Sequence, residues 1–359
     1  MRIGIVAPPW IAVPPCGYGG IEAVIDSLAR EFVSAGHDVR LVAAENSGCP
    51  VPKVCGLPAR QISALGAAVD ELTHVVLAHE ALDGVDIIHD HTLAGPLSRH
   101  RPPGVPLVTT AHGPLTGAFR TVYRAIAVHT PLIAISRHQA VSAPEVSVRQ
   151  VIHHGIDASA VPLGDGDGGY ACFLGRMHPD KGPLQAIRIA REAEVPLRIA
   201  ARVMENEERE FFDAAIRPQL KPPIEFLGEL TAAEKYDLLG SSIALLNPIQ
   251  WPEPFGMVMI EAMATGTPVI ATLRGSAPEI IEDGVTGFLR SGNHQLAVAL
   301  QQAATLDRRR CRQVTETYFS AARMAQEHLR FFTEVVAQGA RRSSSPFMVT
   351  RSQEASRLG

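Results

Sequence analysis

Charge is scarce in this chain: 19% of its 359 residues are Asp, Glu, Lys or Arg, against about 25% in an average globular protein. With 46% hydrophobic residues, that shortage excludes a disordered or heavily solvated polypeptide. Basic residues (33) and acidic residues (37) leave a formal net charge of -4, so no general attraction to nucleic acid or acidic membranes is expected and any anion site must be local. Cysteine is also sparse. Cys16, Cys49, Cys55, Cys172 and Cys311 form no paired framework, and Cys49 with Cys55 has no metal-like repeat beyond it, which implies reduced thiols in a cytoplasm. Long apolar runs are missing too: nothing approaches the roughly 18 uninterrupted apolar residues of a membrane helix. The opening stretch Met1 to Ala7, stopped by Pro8-Pro9, is too short for a signal peptide. Lysine is rarer still than cysteine, with only Lys53, Lys181, Lys221 and Lys235 among the 33 basic residues.

What is present is a repeating alternation. At roughly 100–200 residues per domain the length predicts two domains. Ile3 to Ala7 reads as a buried strand, Pro8 to Gly20 as a Pro/Gly-rich loop, and Ile21 to Ala35 as a helix with Val24, Ile25, Leu28 and Phe32 on its apolar side. Gly36 ends that helix and Val39 to Ala43 is the next strand; Val85 to His89, Leu107 to Thr110, Leu132 to Ile135 and Gln150 to His153 fit further strands. Strands this continuously apolar belong in a parallel sheet covered on both faces. Residues 158–169 are rich in turn formers and read as a linker and hinge. The pattern then restarts, with strands at Tyr170–Leu174, Leu197–Ala201, Ile224–Leu227, Ile243–Asn247 and Pro268–Ala271 and helices at Pro183–Glu194 and Ala232–Gly240. The fold class is α/β, two successive Rossmann-like halves, each offering its strand carboxyl ends to a shared cleft. Ala297 to Val336 is mainly helical, and the Arg/Ser-rich stretch beyond Gly339 is expected to be disordered.

Three places carry chemistry. Gly17-Tyr18-Gly19-Gly20 precedes a helix and would let backbone N–H groups approach an anion, although an ordinary flexible loop fits equally well. A dinucleotide fingerprint fits less well, since the G-x-G-x-x-G spacing is absent and Glu45 is its only support. In the second half, the strand ending at Leu174 runs into Gly175-Arg176-Met177-His178-Pro179-Asp180-Lys181-Gly182, so two cations five residues apart sit at a strand's carboxyl end, where solvated loop charges are the competing reading. Farther on, Glu253 lies in a loop and Glu261 eight residues later, roughly two turns, interrupts an apolar helix. A carboxylate placed like Glu261 needs a hydroxyl or a cation. The triplet His89-Asp90-His91 has metal-like alternation but no third ligand nearby, so a structural role is favoured.

Taken together and in order, these residues make the chain resemble the retaining glycosyltransferases of family four, of the GT-B fold. The resemblance runs through Gly17 to Glu22, Ala111-His112-Gly113, Ile135-Ser136, Gly155-Ile156-Asp157, the Arg176/Lys181 loop, Glu253 with Glu261, Arg274-Gly275-Ser276 to Pro278-Glu279, and Asp283 to Phe288. The Gly-Tyr-Gly-Gly-Ile and Arg-Gly-Ser versions are closest to bacterial antibiotic-pathway and small-molecule glucosyltransferases. The resemblance implies two facing Rossmann-like domains, 1–157 on the acceptor side and 170–314 on the nucleotide-sugar side, with linker 158–169. It also implies a helix at 315–338 crossing back to the first domain and a tail at 339–359.

It implies catalytic roles for Arg176, Lys181, Glu253 and His112: the two cations on the diphosphate, Glu253 on donor-sugar hydroxyls and His112 beside the sugar. Gly19, Gly20, Phe255, Gly256 and Glu261 would bind the donor, Glu261 through the ribose. His154 stands where the family commonly has Asn, and Ala201-Arg202 replaces a common glycine. The expected activity is metal-independent, retaining transfer of a hexosyl group, glucosyl by preference, from a UDP-sugar or related donor to a small-molecule, lipid or saccharide acceptor. No cofactor beyond the co-substrate, no nucleic acid and no membrane surface is indicated. Glu253 is not assigned as a nucleophile, as a paired-carboxylate glycosidase would have it. The alternatives are a sugar-nucleotide epimerase of the same fold and an inactive sugar-nucleotide-binding protein.

Overall fold

The computed structural model describes residues 1–55, 57 and 66–344. Strands β1 (Arg2–Val6), β2 (Asp38–Val42), β3 (Lys53–Cys55), β4 (Ile87–Asp90), β5 (Leu107–Ala111), β6 (Leu132–Ala134) and β7 (Val148–Val151) form one sheet, in the order β3-β2-β1-β4-β5-β6-β7. Every pairing in it is parallel. A second parallel sheet contains β8 (Ala171–Arg176), β9 (Leu197–Arg202), β10 (Ile224–Gly228), β11 (Ala244–Asn247), β12 (Val269–Thr272) and β13 (Gly287–Arg290), in the order β10-β9-β8-β11-β12-β13. In each sheet the strand order reverses beside the first strand of its half, β1 or β8, which opens a crevice at the carboxyl ends. The chain thus has the two-Rossmann architecture of GT-B proteins. Strand β3 and strand β13 are not anticipated by the apolar pattern: the first is a three-residue edge strand containing Lys53, and the second follows the turn Asp283-Gly284.

Helices α1 (Gly20–Ser34), α2 (Ala68–Ala81), α3 (Gly117–Ala127) and α4 (Arg137–Val141) belong to the first half. The second carries α5 (Pro183–Glu192), α6 (Asn206–Phe211), α7 (Ala232–Ser241), α8 (Met257–Ala264), α9 (Ala277–Ile280), α10 (Asn293–Gln302) and α11 (Arg308–Tyr318), and α12 (Ala321–Ser344) follows. Local chemistry sets their starts. Pro183 opens α5 where a missing N–H costs nothing, Thr231 and Glu234 cap α7 reciprocally, and Ser136 accepts the Gln139 amide at the start of α4.

Although last in sequence, α12 is part of the first core. Met324, Ala325, Phe331, Phe332 and Val335 are buried with Ile25, Leu28 and Phe32 of α1, and Phe32 meets Phe332 edge-on at 5.7 Å. The helix continues through Gly339 to Ser344, so 339–344 are helical rather than part of a tail, and 345–359 lie outside the described residues.

The linker behaves differently from its composition. Gly164, Gly166 and Gly168 donate their amides to the carbonyls of Thr265, Gly240 and Ser241 at 2.9–3.0 Å. The Arg308 guanidinium donates to the carbonyls of Gly164, Gly240 and Ser242 and to the Thr267 hydroxyl at 2.8–3.0 Å. A Cβ on Gly164 would lie 2.2 Å from the Gly240 carbonyl oxygen, so that close approach requires glycine. Residues 164–168 are therefore fastened to the second half and cannot act as the hinge that their glycines suggest. The backbone crosses between the halves at a tighter place. Ile156 donates to Phe319 O at 2.9 Å and Ala321 donates to Ile156 O at 3.0 Å, so the two crossings lie against each other.

Candidate active site

The second sheet presents its cations already paired. Arg176 ends β8, and its guanidinium lies 3.5 Å from Glu208 and 3.8 Å from Glu205. Lys181 sits in the short turn Pro179–Lys181, its stem beside Gly175, and its ammonium is hydrogen-bonded to the Glu253 carboxylate. Gly182, at φ 76°, ends that turn; a Cβ there would strike the Pro248 carbonyl. The other Glu253 oxygen, Oε2, is buried without a hydrogen-bond partner among the described residues. An unpartnered carboxylate oxygen in a cleft is an acceptor for a ligand hydroxyl.

The loop carrying Glu253 is braced from behind. Ser276 donates its amide to Glu253 O at 3.1 Å and its hydroxyl to Phe255 O at 2.5 Å. Gly275, at φ 57°, leaves no space for a Cβ beside the Glu253 backbone. The Arg-Gly-Ser motif thus holds the Glu253 loop in place. Gly256, at φ 86°, is the residue before α8, and Phe255 is buried beneath it. About one turn into α8, Glu261 accepts a hydrogen bond from Lys235 at 2.7 Å. Sequence reasoning foresees a cation or hydroxyl for Glu261 but misses Lys235 on α7, and the rarity of lysine is the signal that could have raised it.

The first half closes over this surface through the glycine loop. Tyr18 donates its amide to Glu229 at 2.8 Å, and Arg202, at the end of β9, stacks over the Tyr18 ring at 4.6 Å. A Cβ on Gly17 would fall 2.4 Å from the Glu229 carboxylate, whereas one on Gly20 would meet Met257 of α8 at 3.7 Å. Gly19 packs against Pro15 and Glu22. Burial pushes the Glu22 carboxyl up to about 7. Glu229 is a residue that the motif reading does not name, and Tyr18 and Arg202 are named there but not as partners of each other. On another side of the interface, Glu279 accepts the amides of Arg137 (2.8 Å) and His138 (2.7 Å) at the start of α4, and its second-half carboxylate also takes His153 Nε2 at 2.8 Å. Burial works against its ionisation, but these donors prevail and its carboxyl is lowered.

His112 follows β5 at the first sheet's carboxyl edge. Its ring stacks on His154 at 5.3 Å, and His154 meets Phe255 edge-on at 5.1 Å, so the first-half histidine and the Glu253 loop are joined through one ring. Burial drives His112 down to about 3 and leaves the imidazole neutral. The His89-Asp90-His91 triplet is committed internally. His89 bonds Thr110 at 2.8 Å, Asp90 takes the Thr92 amide and hydroxyl, and His91 bonds His112. Among the described residues no group of three or more His, Cys, Asp or Glu side chains is arranged to hold a metal ion, and no helix is long and apolar enough to cross a membrane.

Comparison with known proteins matches both halves to related models. Residues 18–161 match "Glycosyltransferase Family 4" and residues 158–318 match "Glycosyl transferases group 1". A phosphatidyl-myo-inositol mannosyltransferase of Mycolicibacterium smegmatis is 28% identical over 321 residues, covering 80% of each chain. AviGT4, a glycosyltransferase of avilamycin A biosynthesis, superposes with a TM-score of 0.75 at 24% identity, covering 94% of this chain and 98% of its own. Anabaena Alr3699/HepE, solved with UDP and glucose, gives 0.71 at 20% identity, covering 93% and 100%.

Proposed function

For a chain that belongs to the family-four glycosyltransferases of GT-B architecture, we propose metal-independent transfer of a glucosyl group, with retention, from UDP-glucose to a hydroxyl of a polyol, lipid or saccharide acceptor. The observation that carries this reading is the row of carboxylate–cation pairs along one wall of the cleft: Arg176 with Glu208, Lys181 with Glu253, and Lys235 with Glu261. Transfer requires a diphosphate to depart with its negative charge stabilised, and preorganised cations do that without reorganisation at the moment of reaction. Arg176 and Lys181 take the diphosphate. Lys181 is held by Glu253 before donor arrives, so binding divides the ammonium between carboxylate and phosphate and leaves Glu253 Oε2 for a sugar hydroxyl. Glu261, steadied by Lys235, holds the ribose.

His112, neutral near pH 7, meets the sugar as a hydrogen-bonding group rather than as a second cation. The acceptor then attacks from the face that the diphosphate leaves, its proton passing to the departing phosphate. The polyol or lipid acceptor class is supported by the inositol-directed relative, and UDP-glucose by the solved neighbours that hold UDP and glucose. The test is incubation with UDP-glucose, UDP-galactose and GDP-mannose separately, with mass detection of products. Release of UDP from UDP-glucose is expected. Turnover of GDP-mannose alone would overturn the donor, and conversion of the sugar nucleotide without UDP release would indicate epimerisation.

A further inference from the structure

Four buried histidines and the partly buried His112 run from the crossing helix to the cleft. His328 of α12 packs on His89 at 5.1 Å, His89 on His91 at 4.0 Å, His91 on His112 at 5.1 Å and His112 on His154 at 5.3 Å. Within this array one contact is a hydrogen bond between two rings: His91 Nδ1 and His112 Nε2 are 2.8 Å apart. The groups facing His91 are His89 from its own strand, His112 after β5, His154 after β7 and His328 from α12. No carboxylate is among them to draw a second proton. Burial lowers His91 strongly, so both rings are neutral and a single proton lies between them.

We propose that His91 is a positioning residue that fixes the ring and tautomer of His112, with its own Nδ1–H donated to His112 Nε2. The direction follows from the atoms left over. His91 Nε2 and His112 Nδ1 both lack a hydrogen-bond partner among the described residues. Each neutral ring carries one proton, so one of these two atoms must be an N–H and the other a bare lone pair. An orphaned buried N–H is the rarer condition. Both nitrogens are themselves buried, but the His91 ring is almost wholly enclosed, 6% exposed, whereas part of His112 reaches the surface at the carboxyl edge of β5. The N–H is therefore assigned to His112 Nδ1, the one of the two that a small movement of its ring would bring to a hydroxyl of the donor sugar. This inference rests on the proposed sugar-transfer reading for the acceptor of that N–H and for its catalytic consequence.

Two variants separate positioning from packing. His91→Phe keeps an aromatic ring in the stack and removes the nitrogen; His91→Asn restores an N–H near the Nδ1 position and loses the ring. We expect His91→Phe to lower kcat for UDP release from UDP-glucose by about 10–100-fold while UDP affinity and KM stay within a few-fold. His91→Asn should recover most of that loss. A purely structural ring would give the reverse order, with Phe tolerated and Asn impaired, and that result would overturn the proposal. Long-range proton–nitrogen correlation spectra of histidine-labelled protein read the tautomer without turnover. In the parent, His112 should carry its proton on Nδ1, and in His91→Phe its nitrogen shifts should move toward a tautomer mixture. A proton on His112 Nε2 in the parent would contradict the assignment even if His91→Phe failed to fold. Absence of UDP release by the parent would count against the transferase reading alone, with the spectra still deciding the hold of His91 on His112.

Discussion

The two walls of the cleft are built from opposite chemistry. Along the second sheet the groups are charged and paired, with Arg176, Lys181 and Lys235 each beside a glutamate. Along the first sheet they are neutral imidazoles: His89, His91, His112 and, next to them, His154 and His328 all titrate below the ordinary histidine range because they are buried. On the proposed reading a nucleotide sugar lays its diphosphate against the cations of the second half, with ribose and sugar hydroxyls on Glu261 and Glu253 beside them, and turns another hydroxyl face of the sugar to the neutral imidazole of His112 in the first half. A cluster of protonated histidines would repel the cations opposite; keeping them neutral avoids that repulsion.

The strongest way to break this division is to remove a cation. Lys181→Ala and Arg176→Ala should each lower UDP release by about 100-fold or more, since each deletes positive charge from the leaving group's surroundings. Rates within a few-fold of the parent for both would show that the diphosphate sits elsewhere. A smaller effect, about tenfold and mostly in KM for the donor, is expected for Glu261→Gln, because the ribose contact is made equally in ground and transition states. Steady-state kinetics showing a loss confined to kcat would contradict that placement.

The first half can be tested through stability. Glu22 is pushed up to about 7. Below the usual 4.5 the folded and unfolded chains are both protonated; between 4.5 and 7 the unfolded chain ionises first, so stability falls as pH rises through that window. Glu22→Gln should therefore gain on the order of 2 kcal/mol on the parent at pH 8 and little at pH 4, measured by urea unfolding at both pH values; a pH-independent difference would contradict the buried neutral carboxyl. The histidines act in the opposite window. With His112 at about 3 and His328 at about 4, the unfolded chain takes up protons below 6.5 that the folded chain refuses. Stability is then lost as pH falls from 6.5 toward 3. The smallest effect is expected from chelation: with Arg176 and Lys181 supplying the charge, turnover should be unchanged in EDTA, and loss restored by magnesium or manganese would mean that the carboxylates had been misassigned.

The α/β architecture was legible because parallel strands buried on both faces are nearly continuous apolar runs, and eleven strands were recognised that way. Strand β3 escaped because an edge strand of three residues beginning with Lys53 has no such run. The linker differs for another reason: its glycines suggest freedom, whereas Gly164 is there for a close approach to Gly240. The positions Arg176, Lys181, Glu253 and Glu261, to which the proposed site is assigned, could be named from local motifs. Glu208 beside Arg176 and Lys235 beside Glu261 could not, nor could the contact of Tyr18 with Glu229, since other elements bring them in and a long-range contact leaves no local period in sequence. The His91–His112 bond is of the same kind. Two strands adjacent in the sheet place residues 21 apart side by side, and nothing in His89-Asp90-His91 announces its neighbour.

The division of labour between the walls is tested most directly by titrating UDP into the parent, Lys181→Ala and His112→Ala by calorimetry, with UDP-glucose turnover measured on the same samples. UDP affinity should fall at least tenfold in Lys181→Ala and stay within about threefold of the parent in His112→Ala, while both variants lose turnover. Equal losses of UDP affinity in the two variants, or a loss confined to His112→Ala, would contradict a charged wall for the diphosphate facing a neutral wall for the sugar.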